Sequence, residues 1–391
     1  MFSSRVPADR QVNRLTAAVA SHRRSGRPLL DLTVTNPTAV GIVYPAGMLD
    51  ALATPLALTY SPDPFGLPAV REAVAADYAR RGISVAASRV VVTASTSEAY
   101  SVLLKLLCDP AHGEVLVPAP SYPLFDHLTR LDGVSSRPYS LAYHGRWELD
   151  EHSVDTAWTD RIQAVLAVSP NNPTGSILTP AELSFLADRC ASHGAALVVD
   201  EVFADYPHDG GADRASIQEA SWSEHALTFR LGGLSKSAGL PQVKLGWIAV
   251  DGPAALVDEA LDRLELVLDT YLSVSTPVQL AAPELIVRGA KVRAAIQARL
   301  DTNLRALAAV AAAFPSVEPL PTDAGWSAVL RVPARRSEEE MVLDLLNEHD
   351  TLVHPGFFFD FPHEAFLVVS LLPQPSAFQT GITRLLESVD G

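Results

Sequence analysis

The middle of the chain alternates short runs of β-branched and other apolar residues with segments whose apolar positions recur every three to four residues. That rhythm predicts strands buried on both faces and covered by amphipathic helices, an α/β architecture. Strands are expected at 89–93, 114–117, 162–168, 195–199, 227–231 and 245–250. One intervening helix carries a full start signal: Thr179 as N-cap, Pro180 in the first position, and Glu182 three residues after Thr179. The alternation ends near residue 250. From Ala254 the pattern is that of two long helices, and after Pro315 it turns strand-like again in WSAVLRV, TLVHPG and AFLVVSL. A chain of 391 residues has room for two to three domains. The change of rhythm narrows this to two: a large domain at 48–280 and a smaller one at 281–391, of which an N-terminal arm at 1–47 forms part.

Composition fits a globular protein: 48% of residues are hydrophobic and 19% charged, enough apolar surface for a sizeable core. The net charge of −15 repels nucleic-acid backbones and anionic lipid surfaces. Any anionic ligand therefore needs a locally positive pocket. The two cysteines, Cys108 and Cys190, lie in apolar helical stretches and are expected as core thiols. The first fifteen residues contain no continuous apolar stretch. The longest apolar run, 306–314, is too short to span a bilayer, so a soluble, cytoplasmic protein is expected. The 11 histidines show no ligand spacing, and no metal site is expected. Glycine-rich nucleotide loops, a G-x-S-x-G elbow and H-E-x-x-H are all absent from the sequence.

Candidate chemistry gathers where the predicted strands end: TASTSEAY (93–100), PSYPLF (120–125), SPNNPTG (169–175), DEVFADY (200–206) and GGLSKSAGLPQVKLGW (232–247). Loops at the carboxyl ends of strands are where α/β sheets build their sites. Asp200 closes an apolar strand, where a carboxylate needs a cationic partner. Lys236 follows an apolar strand and two glycines, a setting in which desolvation makes a lysine nucleophilic. Ser95, Thr96 and Ser97 collect hydroxyls and free N–H groups at a helix start, which reads either as an ordinary N-cap or as an anion site.

These segments, in this order and with 28 residues from Asn172 to Asp200 and 36 from Asp200 to Lys236, resemble the fold-type I pyridoxal 5'-phosphate (PLP) enzymes, specifically the class I/II aminotransferases. The resemblance runs from ThrAsnProThr at 35–38 to the C-terminal region. It implies a large domain with a mixed, mostly parallel seven-stranded sheet and a smaller α+β domain. It further implies a ping-pong aminotransferase that passes an amino group from an amino acid or related amine to a 2-oxo acid, with PLP as cofactor and a Schiff base at Lys236. By the same resemblance Asp200 pairs with the ring nitrogen, Asn172 bonds the ring oxygen, Tyr122 stacks on the ring, and Ser95, Thr96, Ser97, Ser235 and Lys244 surround the phosphate. Tyr60 matches a tyrosine that reaches the phosphate of a neighbouring subunit, which implies a homodimer with composite sites. A PLP lyase, decarboxylase or synthase on the same fold is the competing reading. A PLP-sensing regulator is disfavoured, because the motifs begin near residue 35 and leave no room for a DNA-binding domain.

Three positions depart from the family pattern. Phe203 stands where a tyrosine commonly donates to the ring oxygen, so the Lys236 linkage is expected to depend more on Asn172 and to titrate at higher pH. Gly233 stands where a phosphate-binding serine is frequent. Val368 occupies the place of the arginine that clamps the substrate carboxylate; Arg331 and His354 are weak candidates to replace it.

Overall fold

The computed structural model describes residues 1–7, 11–208 and 225–390. An eight-stranded sheet forms the centre, in the order Val90–Thr93, Gly246–Asp251, Thr228–Gly233, Ala196–Asp200, Ile162–Val168, Glu114–Ala119, Ser135–Tyr143 and Trp147–Leu149. Only Gly246–Asp251 and the short edge strand Trp147–Leu149 run against the others. The sheet thus has one strand more than expected, and the addition is that edge strand. All six strands read from sequence are present within two residues. Ser135–Tyr143 was not read, because serine and an internal proline disguise it. It tolerates Pro138 beside the sheet's edge, where ladder bonding is least complete.

Both faces of the sheet are buried, which explains the unbroken apolar runs. Leu166, Val198, Phe229 and Ile248 pack under the helices Thr96–Leu107 and Ala254–Tyr271 through Leu103, Leu104, Val257 and Leu264. On the opposite face Leu116, Val165 and Leu197 meet the helix Pro180–His193 through Leu186 and Cys190. That helix has the predicted capping box, with Thr179 and Glu182 bonding each other's backbone N–H. Cys108 and Cys190 are buried free thiols.

A second, four-stranded antiparallel sheet orders Glu318–Pro319, Ser327–Arg331, Phe366–Ser370 and His354–Pro355. The N-terminal arm joins it: Leu30–Asp31 pairs with Thr351–Leu352, and Leu15, Leu32, Val40 and Ile42 share a core with the last helix, Pro375–Asp390. The helix Thr276–Ala311 links both bodies. Its first turns bury Ala281, Leu285 and Ile286 against the large sheet's flank, and its later turns bury Val292, Ile296, Leu300 and Leu307 in the smaller core.

Candidate active site

Five segments, each at the carboxyl end of a parallel strand, deliver side chains to one cavity. After Val90–Thr93 the chain turns into the helix Thr96–Leu107. Ser95 caps it, its hydroxyl accepting from the Glu98 N–H at 3.1 Å, while Thr96 and Ser97 line the cavity. The neighbouring strand presses on this turn. A Cβ on Gly246 would stand 2.8 Å from the Ser95 carbonyl carbon and 3.0 Å from the Thr96 nitrogen, so only glycine allows the approach. The helix N-terminus, with its free N–H groups and positive dipole end, thereby opens onto the cavity as an anion site.

Lys236 enters from the segment after the strand Thr228–Gly233. Behind Gly233 the chain makes the short helix Leu234–Ser237, held by a Ser237 hydroxyl bond to the Gly233 carbonyl at 3.0 Å and by Tyr206, whose hydroxyl donates to the Lys236 carbonyl at 2.5 Å. A side chain on Gly233 would start 3.0 Å from the Leu245 carbonyl oxygen, a tight approach that glycine relieves. The Lys236 Nζ sits 4.6 Å from the Trp326 ring centre and 5.4 Å from that of Phe203. Burial pushes its ammonium down to about 8, with Asp200 opposing. A fraction of the amine is therefore unprotonated near neutral pH, as a carbonyl-attacking nucleophile requires.

Asp200 closes its strand facing the same space and is 7% exposed. Burial pushes its carboxyl up to about 6, against the pull of the Val202 N–H at 3.0 Å and the Tyr100 hydroxyl at 2.9 Å. A buried, ionisable carboxylate directed into a cavity is suited to a cationic ring nitrogen. Asn172 lines the wall, its Oδ1 accepting from the Ser327 hydroxyl at 3.5 Å. Phe203 and Ser235 also line it, as does Tyr122, which is 37% exposed and stands edge-on to Phe125. Lys244 and Tyr60 lie outside the lining; both are exposed, and Lys244 has a left-handed backbone with φ of 62°.

Neither candidate for the substrate carboxylate lines the cavity. Arg331 is paired with Glu318 on the surface. His354 packs on Phe358 and Phe359, and burial pushes its imidazole below its usual value. Val368 is buried in the core between Val329 and His354. Among the described lining residues Lys236 is the one cation; Thr35, Asn172 and Ser327 add neutral polar groups to those of Thr96, Ser97, Tyr100, Tyr122 and Ser235.

Several lining residues escaped the sequence reading. Tyr100 follows Thr96 by four positions on one helix, so it shares that helix face, a signal available in the sequence. Thr35 arrives with the N-terminal arm, which Ser370 anchors by bonds to the carbonyls of Leu32 and Val34. Trp326 and Ser327 come from the smaller sheet, and only tertiary structure brings them in.

The residues fit PLP: a helix N-terminus for its phosphate, a buried carboxylate for its ring nitrogen, and a desolvated amine for its aldehyde. A family model described as "Aminotransferase class I and II" matches residues 48–378. The chain belongs to the class I and II aminotransferases. PLP is the cofactor of this family. This aminotransferase is 26% identical over 413 residues to the alanine aminotransferase of Mycobacterium tuberculosis, covering 98% of this chain and 89% of that protein. It is 27% identical over 274 residues to "Probable aminotransferase TAT1" of Arabidopsis thaliana, covering 68% of this chain and 60% of the plant protein. A crystal structure of an aminotransferase from Escherichia coli superimposes with a TM-score of 0.86 at 21% identity, covering 100% of this chain and 98% of the other, so the fold is shared.

Proposed function

We propose that this aminotransferase transfers an amino group from an amino acid or related amine to a 2-oxo acid in two half-reactions, the first product leaving before the acceptor enters. The observation that carries this is a depressed lysine and an elevated aspartate facing one cavity, Lys236 near 8 and Asp200 near 6. When bound, PLP supplies an electron sink for the pair of electrons left on the substrate carbon. The helix start at Thr96 and Ser97 binds the phosphate, and Asn172 orients the ring oxygen. Asp200 would hold the ring nitrogen in its protonated form, and Tyr122 would pack on the ring. Lys236 would hold the cofactor by its aldehyde and, with its amine free, would carry the proton from the substrate Cα on its Nζ.

A homodimer with Tyr60 reaching the neighbouring site belongs to the same reading. Tyr60 is 72% exposed in an apolar row with Leu56 and Leu58, and the Ser273 hydroxyl bonds the Asp63 backbone on both sides at 2.8 and 2.9 Å, bringing exposed Tyr271 and Leu272 alongside. An apolar surface of this kind marks an interface. A cytoplasmic setting is supported by the two unpaired thiols.

Borohydride reduction of the holoenzyme followed by peptide mapping tests the reading, with the label expected on Lys236. A label elsewhere, or none, refutes it. Donor without acceptor should yield one oxo product per site and then stop; continued turnover would make the protein a lyase.

A further inference from the structure

The Asp200 carboxylate is clamped at two points. Its Oδ1 accepts from the Val202 N–H at 3.0 Å, and its Oδ2 accepts from the Tyr100 hydroxyl at 2.9 Å, with both side chains buried. Tyr100 has little freedom to leave. Its ring stands edge-on to Phe125, with 5.4 Å between centres and 81° between planes. It belongs to the helix whose start lines the cavity with Thr96, one turn and about 6 Å earlier on the same face. One rigid element therefore sets both the anion site and the carboxylate orientation.

The geometry points to Tyr100 as a positioning residue for Asp200: its hydroxyl fixes the carboxylate and holds it as the anion that a protonated ring nitrogen needs. This rests on the cofactor role proposed for Asp200. The phenol is a donor across the working pH range, because burial and the adjacent Asp200 push its ionisation well above the usual value. Among the described residues, the other groups around Asp200 do not supply a second side-chain donor. Lys236 and Tyr122 act on it at longer range across the cavity. Glu201, next in the chain, opposes its ionisation, but Glu201 is itself paired with Arg230 at 2.6 Å and Arg81 at 3.5 Å. Hydrogen bonds to a carboxylate favour its charged form, and low surrounding dielectric strengthens them.

The test uses the full chain stripped of cofactor and compares equilibrium binding of PLP with that of its 1-deaza analogue, in which a C–H replaces the ring nitrogen. Tyr100→Phe keeps the ring packed on Phe125 and removes only the donor. It should weaken PLP binding about tenfold and leave the analogue within about twofold of wild type, the difference expected from one charge-assisted hydrogen bond. Analogue binding doubles as the check on folding. An equal loss for both ligands would reduce Tyr100 to a packing residue, and no loss for PLP would remove it from the site altogether. In an Asp200→Asn background, Tyr100→Phe should change the PLP preference no further. If Asp200→Asn alone leaves that preference intact, the role proposed for Asp200 fails. If Asp200→Asn abolishes it and Tyr100→Phe does not, only the present inference fails.

Discussion

Lys236 and Asp200 are both held away from the protonation behaviour they would show in water, and each carries a consequence for stability. Asp200 keeps its proton to about pH 6 in the folded apoprotein, against 3.8 in an exposed carboxyl. The folded form binds that proton more tightly, so its contribution is complete below pH 3.8 and is lost as pH rises through 6. Lys236 gives up its proton near 8, against 10.5 when exposed. The folded form binds that proton less tightly, so stability recovers as pH rises from 8 to 10.5. The summed contribution of these two groups to apoprotein stability is therefore smallest between pH 6 and 8. Calorimetry across pH should show the stability difference between wild type and Asp200→Asn shifting against wild type as pH rises from about 4 to 6; a difference that stays constant across that window contradicts the burial of Asp200. At Phe203, a tyrosine would place a hydroxyl on the cavity wall near Lys236. Phe203→Tyr should move the pH-dependent absorbance change of the Lys236-bound cofactor to lower pH, and a change to higher pH would refute the account of that position.

At the scale of elements, the site depends on close backbone approaches that no local preference specifies. The strand Gly246–Asp251 lies against the turn at Ser95, and Gly246→Ala should force that turn away. Cofactor affinity is expected to fall by more than about tenfold, read by equilibrium binding, because the N–H groups at Thr96 no longer converge. The helix Pro180–His193 offers the contrasting case. Its capping box holds the helix start remote from the cavity, so Thr179→Ala should cost about 1 kcal/mol of unfolding free energy and leave turnover unchanged. A loss of activity without a loss of stability would mean the cap has another role.

Across the whole molecule, the helix Thr276–Ala311 ties the two bodies together. Asn303, buried near its end, donates to the carbonyls of Leu371 and Pro373 at 2.8 and 2.7 Å. Those carbonyls follow the strand whose Ser370 holds the arm carrying Thr35. Asn303→Ala leaves two buried acceptors unsatisfied, and chemical denaturation should show a loss of roughly 2–4 kcal/mol. The exposed surface around Leu58, Tyr60 and Leu272 bears on assembly. Leu58→Asp should shift the protein towards monomer in sedimentation and weaken cofactor binding at the same time; a monomeric wild-type protein would remove the composite site.

The sequence by itself determined the alternating architecture, the strands that are buried on both faces, the capped helix at Thr179, and the order of Asn172, Asp200 and Lys236. Those features are local, or they repeat with the period of the element that carries them, so residue type and spacing are enough to read them. The strand Ser135–Tyr143, next to the edge, was hidden, because its stability comes from pairing with Glu114–Ala119 and not from its own composition. Tertiary structure alone decided which groups stand together at the site. Trp326 and Ser327 cross from the smaller sheet, Thr35 is carried in by the arm, and Tyr100 meets Asp200 a hundred residues away in the chain. Packing also decided the roles of groups already singled out: Ser95 became a cap, Arg331 a surface ion pair and His354 a core imidazole. A side chain's chemistry is fixed by its type, but its protonation and reach are set by what surrounds it in space.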